Sequence, residues 1–342
     1  MIKFRKELKN IGINPIGELS VQEKTNIAEK VTLKLLSLNI PEISNSNILE
    51  RLFEAKMYTA KINKNLGSVN YFYKNKTIYF DQNLNLENID ENIMRECMHY
   101  LQDKRGTREK LSRMGLCTFE DYKVRGMALN EIGINYVANK LFNKYNKNKT
   151  YTLLKQMLQI TGEEIFLNSL LNSNNKFEEK FMEQTNSEVL YSKIQNNLDS
   201  IFDLEQIIKR LNSDGKESSK ALKYLSKINS HKHTINSKFS EIQWDIYNRY
   251  FSRKLELIDT LEEIKQFKNE MFSYNQWLDI VGDEEKYTNF ATDKFERLHK
   301  IEMELIRKNA NNSMILVNEN KIQKIIRFIR KIIFKSKEFE IN

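Results

Sequence analysis

Apolar residues in this chain recur mainly three and four apart, the spacing that lines one face of an α-helix. Residues 47–62, NILERLFEAKMYTAKI, carry that spacing and predict an amphipathic helix. Residues 1–44 read as helical, with breaks at Gly12, Pro15 and Pro41. The rhythm changes at SVNYFYKNKTIYFDQ, where aromatic and β-branched residues alternate around Lys74-Asn75-Lys76. That pattern predicts a β-hairpin with a polar turn. The next stretch, LENIDENIMRECMHYLQDKRG, predicts a helix starting near Asn88 or Asp90 and ending at Gly106. A basic loop over 104–113 follows, then a second helix from about residue 126 to 145. Beyond Tyr151 the pattern is helical nearly to the end, with breaks at Gly162, 172–175, 212–215, 231–233 and Gly282-Asp283. Residues 239–272 suit one long packed helix, with Trp244, Tyr247, Tyr250 and Phe251 as its core stripe.

Composition agrees with this reading. Two prolines and ten glycines in 342 residues leave few obligatory breaks, so long helices are expected. The fold class is therefore a predominantly helical α+β protein. Its expected organisation is an N-terminal helical segment (1–44), a core holding the hairpin and two site helices (45–170), a helical region (171–310) and a basic tail helix (311–342). Two cysteines, Cys97 and Cys117, make no disulfide framework and read as buried thiols. There is no signal-like apolar run at the N-terminus and no stretch of roughly 18 apolar residues. The expected location is the cytoplasm, with peripheral contact at the inner face of a membrane as an addition.

The net charge of +9 sits mostly at one end. Between Lys321 and Lys337 there are seven basic residues and no acid. A footprint for nucleic acid over the whole chain is poorly supported. The tail is two-faced instead. Ile322, Ile325, Ile329 and Ile333 fall on one side of a helix, with Lys324, Arg327, Arg330 and Lys331 opposite. That pattern suits an anionic membrane surface met by residues 321–337, or docking of the isoleucines on the protein's own body.

Candidate chemistry concentrates at Arg95-Glu96-Cys97-Met98-His99. On a helix, positions 95 and 99 share one face, one turn apart. A zinc-hydrolase helix reads H-E-x-x-H, with two imidazoles on the metal and the Glu as general base. Here the Glu and the second His are present, and Arg stands at the first position. Downstream, Asn130-Glu131 and Asn135 lie on the second helix. The other histidines, His231, His233 and His299, read as solvated surface.

These elements together resemble the gluzincin type of zinc metallopeptidase, and a group of clostridial zincin-like proteins with a degenerate motif. The resemblance rests on M-R-E-C-M-H-Y-L-Q, on G-M-A-L-N-E and on the hairpin before them, over roughly residues 65–145. It implies a zincin-like core. It also implies that His99 and Glu131 correspond to metal ligands, Glu96 to the general base, and Asn130 and Asn135 to positions flanking the ligands. Arg95 replaces the first ligand, and Asn135 replaces an Asp that would orient it. Arg offers no lone pair and stays charged, with a pKa above about 12. The expectation is that Arg95 takes the metal's place and pairs with Glu131 or Glu96. No cofactor is expected, and zinc only if the site is functional. The favoured reading is a metallopeptidase-like pseudoenzyme that binds a peptide or protein partner. The alternatives are an active zinc peptidase with an unforeseen ligand, and a helical interaction protein recruited to membranes by its tail.

Overall fold

The computed structural model describes residues 4–40, 45–120, 123–144, 148–214, 221–276, 278 and 284–309. The tail residues 321–337 lie outside the described residues, as do the expected breaks at Gly215 and Gly282-Asp283. The protein is a predominantly helical α+β chain. Its residues group into two units: the first holds residues up to 154, 161–180 and 192–203, the second 155–160, 181–191 and 204 onward.

The first unit opens with α1 (Arg5–Asn10), β1 (Ile13–Glu18) and α2 (Val21–Leu36). The expected helix over this stretch gives way at β1, which contains Pro15 and Gly17. A proline lacks the N–H of a sheet ladder and is confined to edges and bulges. Here it sits on an edge strand whose register shifts between Pro15 and Gly17. A capping box starts α2: Ser20 accepts the Glu23 N–H, and Glu23 accepts the Ser20 N–H at 2.8 Å. Ile27, Ala28, Val31, Thr32 and Leu35 form its buried stripe.

The predicted helix over 47–62 stops early. It divides into α3 (Asn45–Glu54) and β2 (Lys56–Ile62). β2 is taken up by partners on both sides, antiparallel to β1 and parallel to β4. Such pairing overrides a local helical pattern. The expected hairpin is present as β3 (Val69–Phe72) and β4 (Thr77–Asp81), antiparallel. The first sheet runs β1-β2-β4-β3, so β3 is an edge. Leu8, Ile13, Ala60, Ile62, Phe72 and Tyr79 pack into one buried cluster around it. The N-terminal segment is thus part of the same sheet as the hairpin, not a separate piece.

α4 (Glu91–Gln102) begins at Asp90, whose carboxylate accepts the Ile93 N–H at 2.8 Å. It ends at Gln102, short of the expected Gly106. The expected basic loop is instead part of a second sheet: β5 (Asp103–Arg105), β6 (Leu111–Met114), β7 (Cys117–Glu120) and β8 (Lys123–Arg125), an antiparallel meander. α5 (Met127–Leu141) follows. Its first turn is capped from a distant helix, as Asp199 accepts the N–H groups of Gly126 and Ala128, both at 2.8 Å. An acid there also complements the helix dipole.

Helices α6 (Lys149–Thr161), α7 (Glu163–Asn172), α8 (Lys176–Thr185) and α9 (Glu188–Asp214) follow, with the expected break at Gly162 and the break expected over 172–175 falling at 173–175. The second unit is built largely from α10 (Ala221–Glu256), α11 (Leu261–Asn275) and α12 (Glu284–Asn309). The break expected at 231–233 is absent, and α10 runs through both histidines. The single helix expected over 239–272 is interrupted instead. A capping box of Thr260 with Glu263 starts α11. Tyr247, Tyr250 and Phe251 are buried as a core stripe, and Trp244 meets Tyr287 and Phe290 edge-on at 5.1 and 5.5 Å. Both cysteines are buried and free. No described helix is long and apolar enough to cross a membrane.

Candidate functional site

The candidate site lies between α4 and α5. The buried stripe of Ile93, Met94, Cys97, Met98 and Leu101 fixes how α4 turns, and so where Arg95, Glu96 and His99 point. Arg95 and His99, one turn apart, converge on Glu131 of α5. Arg95 Nη2 donates to Glu131 Oε2 at 3.2 Å, and His99 Nε2 lies 3.2 Å from Glu131 Oε1. Each carboxylate oxygen thus holds one cationic or hydrogen-bonding partner. The side chains of Arg95 and Glu131 keep 31 % and 24 % exposure against 9 % for His99, so the cluster opens to solvent on the Arg95 side.

The electrostatics follow from this contact. Burial alone would push Glu131 up, but the His99 hydrogen bond and charge, with those of Arg95, hold its carboxyl below the usual value. Burial alone would lower His99, yet the hydrogen bond and charge of Glu131 raise it. Two buried polar atoms of the cluster, Arg95 Nε and His99 Nδ1, have no hydrogen-bond partner among the described residues.

Glu96 faces another way. Its carboxylate accepts the backbone N–H of Tyr71 on β3 at 2.7 Å. Burial raises its pKa against the lowering effects of His99, the Tyr71 N–H and Arg95. Cys97 points into the core, and burial pushes its thiol up. Burial and Asp199 push Cys117 up to about 12.

Asn130 is buried away from the cluster and carries a structural bond set. Its Oδ1 accepts the Leu116 N–H at 3.0 Å and its Nδ2 donates to Gln102 Oε1 at 3.2 Å. Gly115, at φ +58°, lies against it; a Cβ there would sit 2.1 Å from Asn130 Oδ1. Asn130 therefore holds the β6–β7 turn against α4, and its expected place beside the ligand positions is corrected to this one. Asn135 is exposed and lines a separate cavity of about 220 Å³ with Ile132, Tyr136, Asn139 and Tyr151. Of the described side chains, only Glu131 accepts from Arg95 at hydrogen-bond distance. Asn135 therefore does not orient that arm.

Sequence reasoning missed a second set of residues that shapes the site. Tyr71 Oη donates to Asp103 Oδ2 at 2.5 Å. Arg105 grips the same carboxylate with Nε at 2.7 Å and Nη2 at 2.8 Å, and also donates to the Tyr73 carbonyl. A bidentate Arg–carboxylate pair of this kind is among the stronger charged contacts. It ties β3 to β5. No local pattern marks Asp103 or Arg105, because their partners are some thirty residues away in sequence.

The donor set can be tested against zinc. Zinc sits about 2 Å from its ligands and takes three protein groups in a catalytic site. His99 and Glu131 are the two ligand types that converge, and a fixed cation contacts the same carboxylate. Among the described residues, no group of three or more His, Cys, Asp or Glu is arranged to hold a metal ion. The residues present do not fit zinc. His231, His233 and His299 lie elsewhere, the first two along α10 and the third on α12, 3.9 Å from Glu302. The chain has no match among family models, curated proteins or solved structures.

Proposed function

We propose that this chain is a metallopeptidase-like protein whose metal has been exchanged for an internal cation, and that it acts as a peptide- or partner-binding module. The observation that carries the reading is the sharing of Glu131 between Arg95 and His99. In the resemblance, positions 99 and 131 are ligand positions and position 95 is the missing third. Arg95 supplies positive charge where a metal would, but without a vacant coordination position or a bound water to activate. Peptide hydrolysis by a metal-bound water has no route through this donor set. What remains is a solvent-facing ion pair between α4 and α5, with the edge strand β3 packed against α4.

Metal analysis of purified protein tests the exchange. Wild type is expected to carry no stoichiometric zinc, and Arg95→His to gain about one equivalent as the H-E-x-x-H pair is restored. Stoichiometric zinc at this site in wild type would overturn the exchange. A folded Arg95→His protein that gains none would overturn the metallopeptidase ancestry. The binding role is tested separately by selecting displayed peptides on wild type. Peptides are expected whose affinity drops at least about tenfold with Glu131→Ala, a loss of about 1.4 kcal/mol. Absence of any enriched peptide would sink the module reading.

A further inference from the structure

We propose that the open edge of β3 is closed from within, with Glu96 as the residue that shuts it against an added strand. An edge strand presents unpaired N–H and C=O groups and invites another strand to pair. Along β3, alternate residues point their backbone groups toward β4 and outward. Ser68 points inward, its carbonyl accepting the Asp81 N–H at 2.8 Å. In the β3–β4 register Tyr71 lies opposite Ile78 and turns its N–H away from β4. That outward N–H donates to Glu96 at 2.7 Å. Just past the strand, the Tyr73 carbonyl, which also accepts the Lys76 N–H of the turn at 3.4 Å, accepts from Arg105. A side-chain acceptor therefore stands at Tyr71 where the carbonyl of an incoming strand would be, and Arg105 covers the turn end of the strand.

The closure is braced. The Tyr71 hydroxyl and Arg105 meet on the Asp103 carboxylate, and Lys76 of the hairpin turn pairs with Glu109 at 3.1 Å. The Tyr73 and Phe119 rings lie 6.3 Å apart across the same junction. The helix that carries Glu96 is anchored beside it by the fully buried Cys97 and Met98. The closure stands on the bonds of β3 itself. Its consequence for recognition rests on the peptide-binding reading: a partner at this site docks by its side chains, not by strand addition at Tyr71.

Amide hydrogen exchange tests the closure directly. In wild type the Tyr71 amide is expected to exchange about 100-fold slower than an open edge amide. Glu96→Gln keeps a carbonyl acceptor and should keep that protection; Glu96→Ala should lose it while Asn70 and Phe72 stay protected. A synthetic peptide of residues 74–82, the strand that already pairs with the inner edge, is the binding probe. It should bind Glu96→Ala at least about tenfold more tightly than wild type. Fast exchange of Tyr71 in wild type or in Glu96→Gln would overturn the closure, as would equal peptide binding by wild type. These outcomes are independent of zinc content and of peptide selection, so failure here and failure of the functional reading are told apart.

Discussion

Each oxygen of the Glu131 carboxylate holds a different partner, so removing the charge strips two groups at once. Glu131→Gln leaves Arg95 and a largely buried His99 facing a neutral amide. Breaking a buried pair by deleting one partner costs about 3–5 kcal/mol, and the partial exposure here places the expected loss near about 3 kcal/mol. Urea unfolding measures it; a loss under about 1 kcal/mol would show that the contact contributes little. The pH dependence follows from the shifts. His99 is raised above its ordinary 6.5, so its contribution is complete below that value and disappears as pH rises through the folded value. Glu131 is lowered below 4.5, so its contribution is present above 4.5 and disappears as pH falls through its folded value. The pair therefore stabilises fully between those two ordinary values. Glu96 is raised, which also favours the fold at lower pH. Melting curves against pH should show a decline on the alkaline side. His99→Gln and Glu96→Gln should each remove a separate part of it. An unchanged alkaline limb in both variants would refute the assignment.

At the scale of elements, α4 and α5 matter because they aim side chains, and α5 is held at its start by an acid from α9. Asp199 accepts two N–H groups of that first turn, and loss of such a cap costs about 0.5–2 kcal/mol. Asp199→Ala should lower stability by about that amount and weaken the Arg95–Glu131 contact, read as a fall in the His99 pKa by NMR. A variant with unchanged His99 titration would show that α5 is placed without its cap. The legible elements were those with local signals. Asp90 before an amphipathic run marks α4, alternation around Lys74-Asn75-Lys76 marks the β3–β4 hairpin, and the shared face of 95 and 99 follows from helix geometry. β1 and β2 were hidden because their strand character comes from partners: β2 has helical spacing and becomes a strand between β1 and β4. The second sheet was hidden because its strands are three or four residues long and polar on one side. The Tyr71–Glu96 bond, the Tyr71–Asp103 bond and the Arg105–Tyr73 bond were illegible for the same reason, since each joins segments that only the fold brings together.

On the scale of the whole molecule, the two units differ in what holds them. The first combines two small sheets with helices and buries polar contacts such as Gln102 with Asn130. The second is knit by rings: Tyr247 lies within 5.7 Å of Phe251, Tyr274, Tyr287 and Phe290. Tyr247→Ala empties the centre of that cluster and should cost about 3–5 kcal/mol, by analogy with other large aromatic truncations. A loss below about 1 kcal/mol by chemical denaturation would mean the rings are replaceable. The same cluster has an optical consequence. The chain's two tryptophans, Trp244 and Trp277, both fall within residues 204 onward, and Trp244 sits against Tyr287, Phe290 and the Lys286 ammonium at 4.1 Å. The first unit, with Arg95, His99 and Glu131, contains no indole at all. Tryptophan emission therefore carries no signal native to the first unit, and an indole placed by substitution at Phe119 would give the junction between Tyr73 and the second sheet a colour of its own.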